Sequence, residues 1–207
     1  MAKEGTGKLG AAVTFVSVAT FAAAMIVELV SGAHTAYVSY LSSVFIAMGY
    51  VLMAAAVVAR GGRRASSVGL AGLTFAAIYA VLIFIVYFAM LTTVRLSENL
   101  SDGVLSIISY ERLGSLFFNY NLLGYSFMAL STFFIGSAVE PVNRRNGRFR
   151  ALLKIHGAFF PPCLIMPMTG TFTPDTSPVV GTVILLAWCA YFLPVCVLGW
   201  QYFRADG

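Results

Sequence analysis

The chain has 207 residues, of which 59% are hydrophobic and only 10% are charged, and its mean hydropathy is +0.87. Soluble domains carry about 25% charged residues. A deficit of this size along the whole length indicates a polytopic membrane protein rather than a soluble domain with one anchor. The net charge of +5 would suggest nucleic acid in a soluble protein. The basic segments lack the interleaved aromatics that stack on bases, so we expect no nucleic-acid partner.

Six apolar stretches are each long enough to cross a bilayer, whose hydrocarbon core takes about 20 helical residues. They are residues 10–30, 38–59, 68–92, 116–139, 149–168 and 179–203. The connections are short, so we predict a single all-α domain over residues 1–207, an integral membrane protein with six transmembrane helices. The first stretch exceeds the 7–15 apolar residues of a signal peptide, and we expect it to be retained.

Lysines and arginines are distributed unevenly among the predicted loops. Six spans leave only Arg95 and Arg112 on one side of the membrane. The other side holds both termini and eleven basic residues: Lys3, Lys8, Arg60, Arg63, Arg64, Arg144, Arg145, Arg148, Arg150, Lys154 and Arg204. Cytoplasmic loops carry the excess of Lys and Arg. We therefore predict cytoplasmic termini, in what we expect to be the plasma membrane.

The longest connection, residues 93–115, lies on the predicted outer side. Its apolar segment 104–108 is too short to span and is expected to form a short helix lying on the membrane. Asn99-Leu100-Ser101 matches the N-glycosylation acceptor pattern, which matters only in a eukaryotic source. The acids of this connection are interpreted as solvated turn residues.

A short sequence similarity suggests an internal repeat. Residues 49–54 (GYVLMA) and 124–129 (GYSFMA) both precede an Arg-Arg loop. This similarity suggests a parallel repeat of residues 38–92 and 116–168, as some transporters have. The alternative is a chance match of four positions in six in a chain of biased composition.

Glu28 is the first candidate functional residue, because it is the only acid inside a clear apolar run. An intramembrane carboxylate is costly and is a functional hypothesis by default. Thr14, Ser17, Thr20, Ala24 and Ser31 recur with it at helical spacing, and this small polar stripe is expected to face other helices. The alternative is that Glu28 reaches water or pairs with His34 or Arg95.

Further polar residues start other spans at a similar predicted depth. Together with Glu28 we predict a shared outward-opening cavity that binds a small polar or cationic solute, formed with His34, Tyr37, Tyr40, Asn119 and Asn121. The alternative is separate hydrogen bonds between helices, with no void. His156 is predicted near the inner surface, too far from His34 to share a metal ion.

The prolines of the fifth span predict a break in that helix. Pro161, Pro162 and Pro167 each remove a backbone donor. We expect a kink or unwound turn over residues 160–163 that faces protein or water. Such breaks occur at transport sites, but they also serve as plain kinks.

The sequence contains no complete catalytic or metal-binding motif. Cys163, Cys189 and Cys196 form no C-x-x-C pair and are interpreted as buried apolar residues. We predict no metal site, and the sequence indicates no particular cofactor.

Three functions remain open. The first is a transporter or channel for a small solute or proton. The second is a non-transporting membrane partner, namely an assembly factor, a sensor or a subunit of a larger complex, which would assemble with itself or with another membrane protein. The third is an intramembrane enzyme acting on lipid or quinone.

Overall fold

The computed structural model describes residues 2–61, 66–173 and 176–204. The structure is 85% helical, and the described ranges contain no strand, which confirms the predicted all-α class. The helices are α1 (Ala2–Ser31), α2 (Ala36–Gly61), α3 (Ser66–Ala89), α4 (Asp102–Ile108), α5 (Leu116–Ala138), α6 (Arg144–His156), α7 (Phe160–Met168) and α8 (Pro178–Arg204).

Among the described residues, five helical segments are long and apolar enough to cross a membrane, which indicates a membrane protein. They are Lys3–Ser31, Ala36–Gly61, Ser67–Val94, Arg144–Met168 and Gly181–Arg204. Helix α5 is not among these five segments, and it carries Asn119, Asn121 and several hydroxyl groups. More than half of its residues are buried, and it packs against α2, α3, α6 and α7. A helix enclosed by other helices can carry polar residues that a lipid-facing helix cannot.

Helices α1 and α2 approach each other at two glycines. A methyl group on Gly10 would lie 2.5 Å from a backbone nitrogen of α2, and one on Gly49 would lie 2.6 Å from the Thr14 hydroxyl oxygen. Small residues of this kind allow helices to pack backbone to backbone in a membrane. Thr14, Ser17 and Ala24 are buried, whereas Thr20, Glu28 and Ser31 are exposed. The predicted stripe of α1 therefore faces neighbouring helices at only some of its positions.

The break in the fifth predicted span lies earlier than expected. A 3₁₀ turn, Gly157–Phe159, separates α6 from α7, whereas we had predicted the break at residues 160–163. Pro161 and Pro162 instead lie in the first turn of α7, where backbone donors have no partner within the helix in any case. The missing donors affect the carbonyls of the preceding turn, which is where the backbone tightens.

The break was predicted to face protein or water, and the exposure of its prolines bears only on the first of these. Pro161 and Pro162 are exposed on the surface of the bundle rather than turned toward protein. Pro167 is half-buried inside α7. The prolines therefore affect the path of the α6–α7 segment, and none of them lines the cavity of about 540 Å³ described in the next subsection.

The connections 32–35 and 95–115 and the described residues 169–173 and 176–177 meet at one end of the bundle, called the cavity end from here on. The 95–115 connection contains the predicted short helix, α4, which Ser101 caps through its hydroxyl oxygen. Arg112 forms an ion pair with Asp102, the first residue of α4. The Ser115 hydroxyl donates to the Ser109 carbonyl at 2.8 Å and caps α5. These contacts fold the connection back over the ends of the helices.

Candidate ligand cavity and a buried histidine network

A cavity of about 540 Å³ opens at the cavity end. The ends of α1, α2, α3, α5 and α8 enclose it, and the connection before α5 covers one side. Its lining residues are Phe21, Met25, Glu28, Leu29, Ala36, Ser39, Tyr40, Tyr87, Tyr110, Glu111, Leu113, Phe118, Val179, Gly181, Thr182 and Leu185.

Two carboxylates lie on this wall. Glu28 lies in the last turn of α1. Its Oε2 is 3.1 Å from the Thr35 hydroxyl, whose single proton is also directed at the Ala24 carbonyl, 2.7 Å away. Glu111 accepts a hydrogen bond of 2.5 Å from the Tyr40 hydroxyl. Both carboxylates keep acceptor capacity, and neither forms an ion pair with any residue that the structure describes.

The wall carries no counter-charge of its own. No lysine, arginine or histidine is among the residues that line the cavity in the described part of the chain. Arg95 lies at the same end of the bundle, but its guanidinium is 4.4 Å from the centre of the Tyr37 ring, and Arg112 pairs with Asp102. The cavity is therefore a site of net negative charge with largely apolar walls.

Three tyrosines form an aromatic cluster in the cavity. The ring centre of Tyr40 lies 5.5 Å from that of Tyr87 and 6.1 Å from that of Tyr110, and the latter two rings are 5.4 Å apart. Burial raises the pKa of Tyr110, so this phenol stays neutral at physiological pH. Aromatic faces carry partial negative charge and attract cations within about 6 Å.

Two hydroxyl groups beside the cavity make no hydrogen bond of ordinary geometry. The Ser39 hydroxyl is buried and has no hydrogen-bond partner in the described structure. The Tyr87 hydroxyl is also buried, and the hydroxyls of Ser43, Tyr110 and Tyr125 are close to it. Both oxygens are closed to solvent, so they offer no free hydrogen-bonding group to the cavity.

The structure brings together only part of the predicted site. Glu28 and Tyr40 line the cavity. His34 is exposed in the 32–35 turn, and Tyr37 is about half exposed beneath Arg95. The predicted pairing of Glu28 with His34 or Arg95 is corrected, since Thr35 is the neighbour of this carboxylate.

The two asparagines of α5 do not reach this cavity either. Asn119 donates from Nδ2 to the Gly114 carbonyl at 3.3 Å and lines a separate groove of about 260 Å³ between α5 and α7. Asn121 is 2% exposed, and its Oδ1 has no hydrogen-bond partner in the described structure. Helical geometry separates them, because side chains two positions apart point in different directions.

Sequence reasoning missed Glu111, Tyr110, Tyr87 and Ser39. Glu111 was interpreted as a solvated turn residue, but the folded-back connection places it against Tyr40. The adjacent Tyr110 and Glu111, an aromatic beside an acid, were the available signal. No local pattern indicates that residues 109–115 fold over the helix ends.

A second polar cluster surrounds His156, which is 1% exposed. Trp188 Nε1 of α8 donates to His156 Nε2 at 2.9 Å, and His156 Nδ1 lies 2.8 Å from the Thr132 hydroxyl of α5. Thr132 in turn donates to the Ala129 carbonyl at 2.8 Å. Indole N–H can only donate, so Nε2 is the acceptor and Nδ1 carries the proton.

With the proton on Nδ1, every polar side-chain atom of the His156 network has a hydrogen-bond partner. A protonated imidazole would need to donate from Nε2, where the Trp188 N–H already points. The network therefore holds a neutral histidine and ties α5, α6 and α8 together. The rings of Phe159, Tyr191 and Phe192 pack around it, with centre-to-centre distances of 5.3, 5.9 and 5.3 Å.

Within the described residues, no three His, Cys, Asp or Glu side chains are close enough to hold a metal ion. Comparison with known proteins identifies no relative: no protein-family model matches the chain, and no curated protein or solved structure matches it.

Proposed function

We propose that the chain crosses the membrane six times, with α5 as the sixth span and both termini in the cytoplasm. The support for α5 is its length and its enclosure by other apolar helices. The support for the orientation is the excess of Lys and Arg in the loops away from the cavity end. The cavity then faces the outside of the cell.

Cysteine labelling tests this topology. In a variant without Cys163, Cys189 and Cys196, a membrane-impermeant maleimide should label cysteines placed at Ser101 or Thr173 in intact cells. It should not label cysteines at Asn146 or Gly62; the latter lies outside the described residues. Labelling at Asn146 from outside would overturn the orientation.

We propose that the cavity binds a small organic cation, as the first step in transporting it. The observation that carries this proposal is the pair Glu28 and Glu111 on one aromatic wall, without a cationic side chain among the lining residues. Two uncompensated carboxylates repel each other, and a bound cation relieves that repulsion. Small inorganic ions prefer a shell of oxygen ligands, whereas an ammonium group with apolar substituents suits carboxylates beside aromatic rings.

The size of the cavity agrees with such a ligand. A volume of about 540 Å³ lies within the roughly 300–1,000 Å³ of small-molecule sites. The largely apolar wall would hold the alkyl groups of the cation, and Tyr40, Tyr87 and Tyr110 would contact its charge. Glu111 is held by the Tyr40 hydroxyl and so is already oriented toward the site.

Ligand-dependent thermal stability in detergent tests the binding proposal with tetramethylammonium as the probe. A ligand at 100 times its dissociation constant stabilises the folded state by about 2.7 kcal/mol. The melting temperature of the wild type should rise with the tetramethylammonium concentration. The variants Glu28→Gln and Glu111→Gln should fold normally but lose most of this rise. Glu98→Gln is the matched control, because this exposed acid of the same connection does not line the cavity.

An uptake assay, together with the stability measurement, separates the candidate functions. Uptake of labelled tetramethylammonium into proteoliposomes, abolished in the same two variants, would support transport. If the wild type shows no stabilisation, or if all three variants respond equally, the cation site is wrong. The non-transporting membrane partner would then be the better account.

A further inference from the structure

The end of the bundle opposite the cavity carries four arginines on the first half of one helix. They are Arg144, Arg145, Arg148 and Arg150 of α6, called the arginine patch from here on. The first three are exposed, and Arg150 is half-buried. No ion pair joins any of them to an acid in the part of the chain that the structure describes. The patch therefore concentrates positive charge without a counter-charge among the described residues.

Few acids at this end could neutralise the arginine patch. The described residues away from the cavity end contain only Glu4, near the start of α1, and Glu140, in the connection before α6. Glu140 is exposed and pairs with no described arginine. Arg144 and Arg148 stand one turn apart, where like charges on a helix repel each other. An anion from outside the chain would relieve this repulsion.

Two other basic residues away from the cavity end place their charge on aromatic rings. The Arg60 guanidinium lies 4.4 Å from the centre of the Tyr202 ring, and Lys154 Nζ lies 5.4 Å from that of Phe133. Within the described ranges, no aromatic ring takes up the charge of the arginine patch in this way. The patch instead presents its charge to the surroundings of the bundle.

The outward face of α6 changes from charged to apolar along the helix. Its exposed residues follow one another every three or four positions: Arg144, Arg148, Ala151 and Ile155. At 1.5 Å per residue, Ile155 lies about 10 Å beyond Arg148 along the helix axis. The segment Arg144–Met168 is apolar enough to cross a membrane. This face therefore suits a helix that keeps its arginines at the level of the lipid headgroups and its later residues in the hydrocarbon core.

We infer that the arginine patch binds the phosphate groups of anionic phospholipids in the leaflet next to it. A guanidinium group can donate two parallel hydrogen bonds to phosphate oxygens. The partner is a lipid rather than a soluble phosphate compound, because the same helix face continues into apolar side chains that contact acyl chains. Clusters of roughly 4–8 basic residues beside a transmembrane helix recognise such lipids. The inference does not depend on the proposed cation site.

Lipid binding to the purified protein in detergent micelles, measured by native mass spectrometry, tests this inference. Phosphatidylglycerol and phosphatidylcholine with identical acyl chains are the probes, because only the first carries a net negative charge. The wild type should bind phosphatidylglycerol at least about tenfold more tightly, since each basic residue near an anionic surface contributes about fivefold. The double variant Arg144→Gln, Arg148→Gln should weaken phosphatidylglycerol binding by about tenfold or more. The variant Arg144→Lys, Arg148→Lys keeps the charge and should retain most of the preference.

The double variant Lys3→Gln, Arg204→Gln is the matched control, because it removes two exposed charges from the same end outside the patch. It should keep the preference for phosphatidylglycerol within about twofold. Equal binding of the two lipids by the wild type would overturn the inference, and so would an equal loss in the control. Displacement of phosphatidylglycerol by the same concentration of inorganic phosphate would also contradict it, since the ligand would then be free phosphate.

A salt titration tests the inference without any substitution. The preference of the wild type for phosphatidylglycerol should fall as the salt concentration rises, because exposed charges are screened. A preference that salt leaves unchanged would contradict an electrostatic headgroup site. Melting temperatures in phosphatidylcholine-containing micelles show whether each variant is folded.

Discussion

The cavity and the His156 network are two polar clusters inside one apolar bundle, and they differ in how their polar atoms are paired. Around His156, Trp188 and Thr132 engage both ring nitrogens, and each donor has an acceptor. At the cavity, two carboxylates lack cations and the Ser39 hydroxyl lacks a hydrogen bond. A network with all partners inside the protein stabilises the fold, whereas one with missing partners is suited to bind something from outside.

The largest effect on stability is expected from His156→Phe. The ring is similar in size, but Trp188 would lose its hydrogen-bond acceptor in a buried place. Leaving this donor unpaired should lower the free energy of unfolding by about 1–3 kcal/mol. Thermal unfolding in detergent measures the change, and His34→Phe, at an exposed turn, should leave it nearly unchanged. Equal stability of both variants would show that the network contributes little.

A matched pair of hydroxyl deletions sharpens the comparison. Thr132→Val keeps the shape but leaves His156 Nδ1–H unpaired, and it should cost about 1 kcal/mol. Ser39→Ala removes a hydroxyl that has no partner, so it should be neutral or slightly stabilising in the absence of ligand. Unfolding of the ligand-free variants in denaturant compares the two. A similar loss in both would mean that Ser39 is paired after all, for example to an ordered water molecule.

The smallest effect is expected from the exposed ion pair over the cavity end. Arg112 holds the pKa of Asp102 below its usual range. The pair should therefore contribute at pH values above about 3.9, the ordinary pKa of Asp, and lose its contribution as the pH falls through the lowered value. Both side chains are solvent-accessible, so salt should screen the effect. Between about pH 5 and 2, the melting temperature of Asp102→Asn should depend slightly less on pH than that of the wild type. The same pH dependence in both proteins would show that this ion pair does not contribute to stability.

The sequence predicts the helices well because hydrophobic runs and capping residues are local signals. Ser115 and Asn143 cap α5 and α6 next to the apolar stretches that they begin. The position of the α6–α7 break was less predictable. Pro161 and Pro162 mark the need for a break, but their effect falls on the carbonyls of the preceding turn.

The site was only partly predictable, because it depends on contacts between distant segments. Glu28 stands out as an acid in an apolar run, and Tyr40 begins the next helix. Glu111 could not be assigned, since its role depends on a connection folding back over 71 positions of sequence to Tyr40. The predicted membrane depth of Asn119 and Asn121 does not determine which way their side chains point around α5. Asn119 lines the groove between α5 and α7, and Asn121 is buried elsewhere in the bundle.

The most direct test of the central claim asks whether the cavity recognises positive charge. Choline and 3,3-dimethyl-1-butanol have nearly the same shape, but only choline is charged. Calorimetric titration of the wild-type protein should show binding of choline at least about tenfold tighter than that of the neutral alcohol, since each charge–π or charge–charge contact contributes roughly 1 kcal/mol or more. This preference should vanish in the Glu28→Gln, Glu111→Gln double variant. Equal binding of the two compounds by the wild type, or a preference that survives in the double variant, would contradict the proposed cation site.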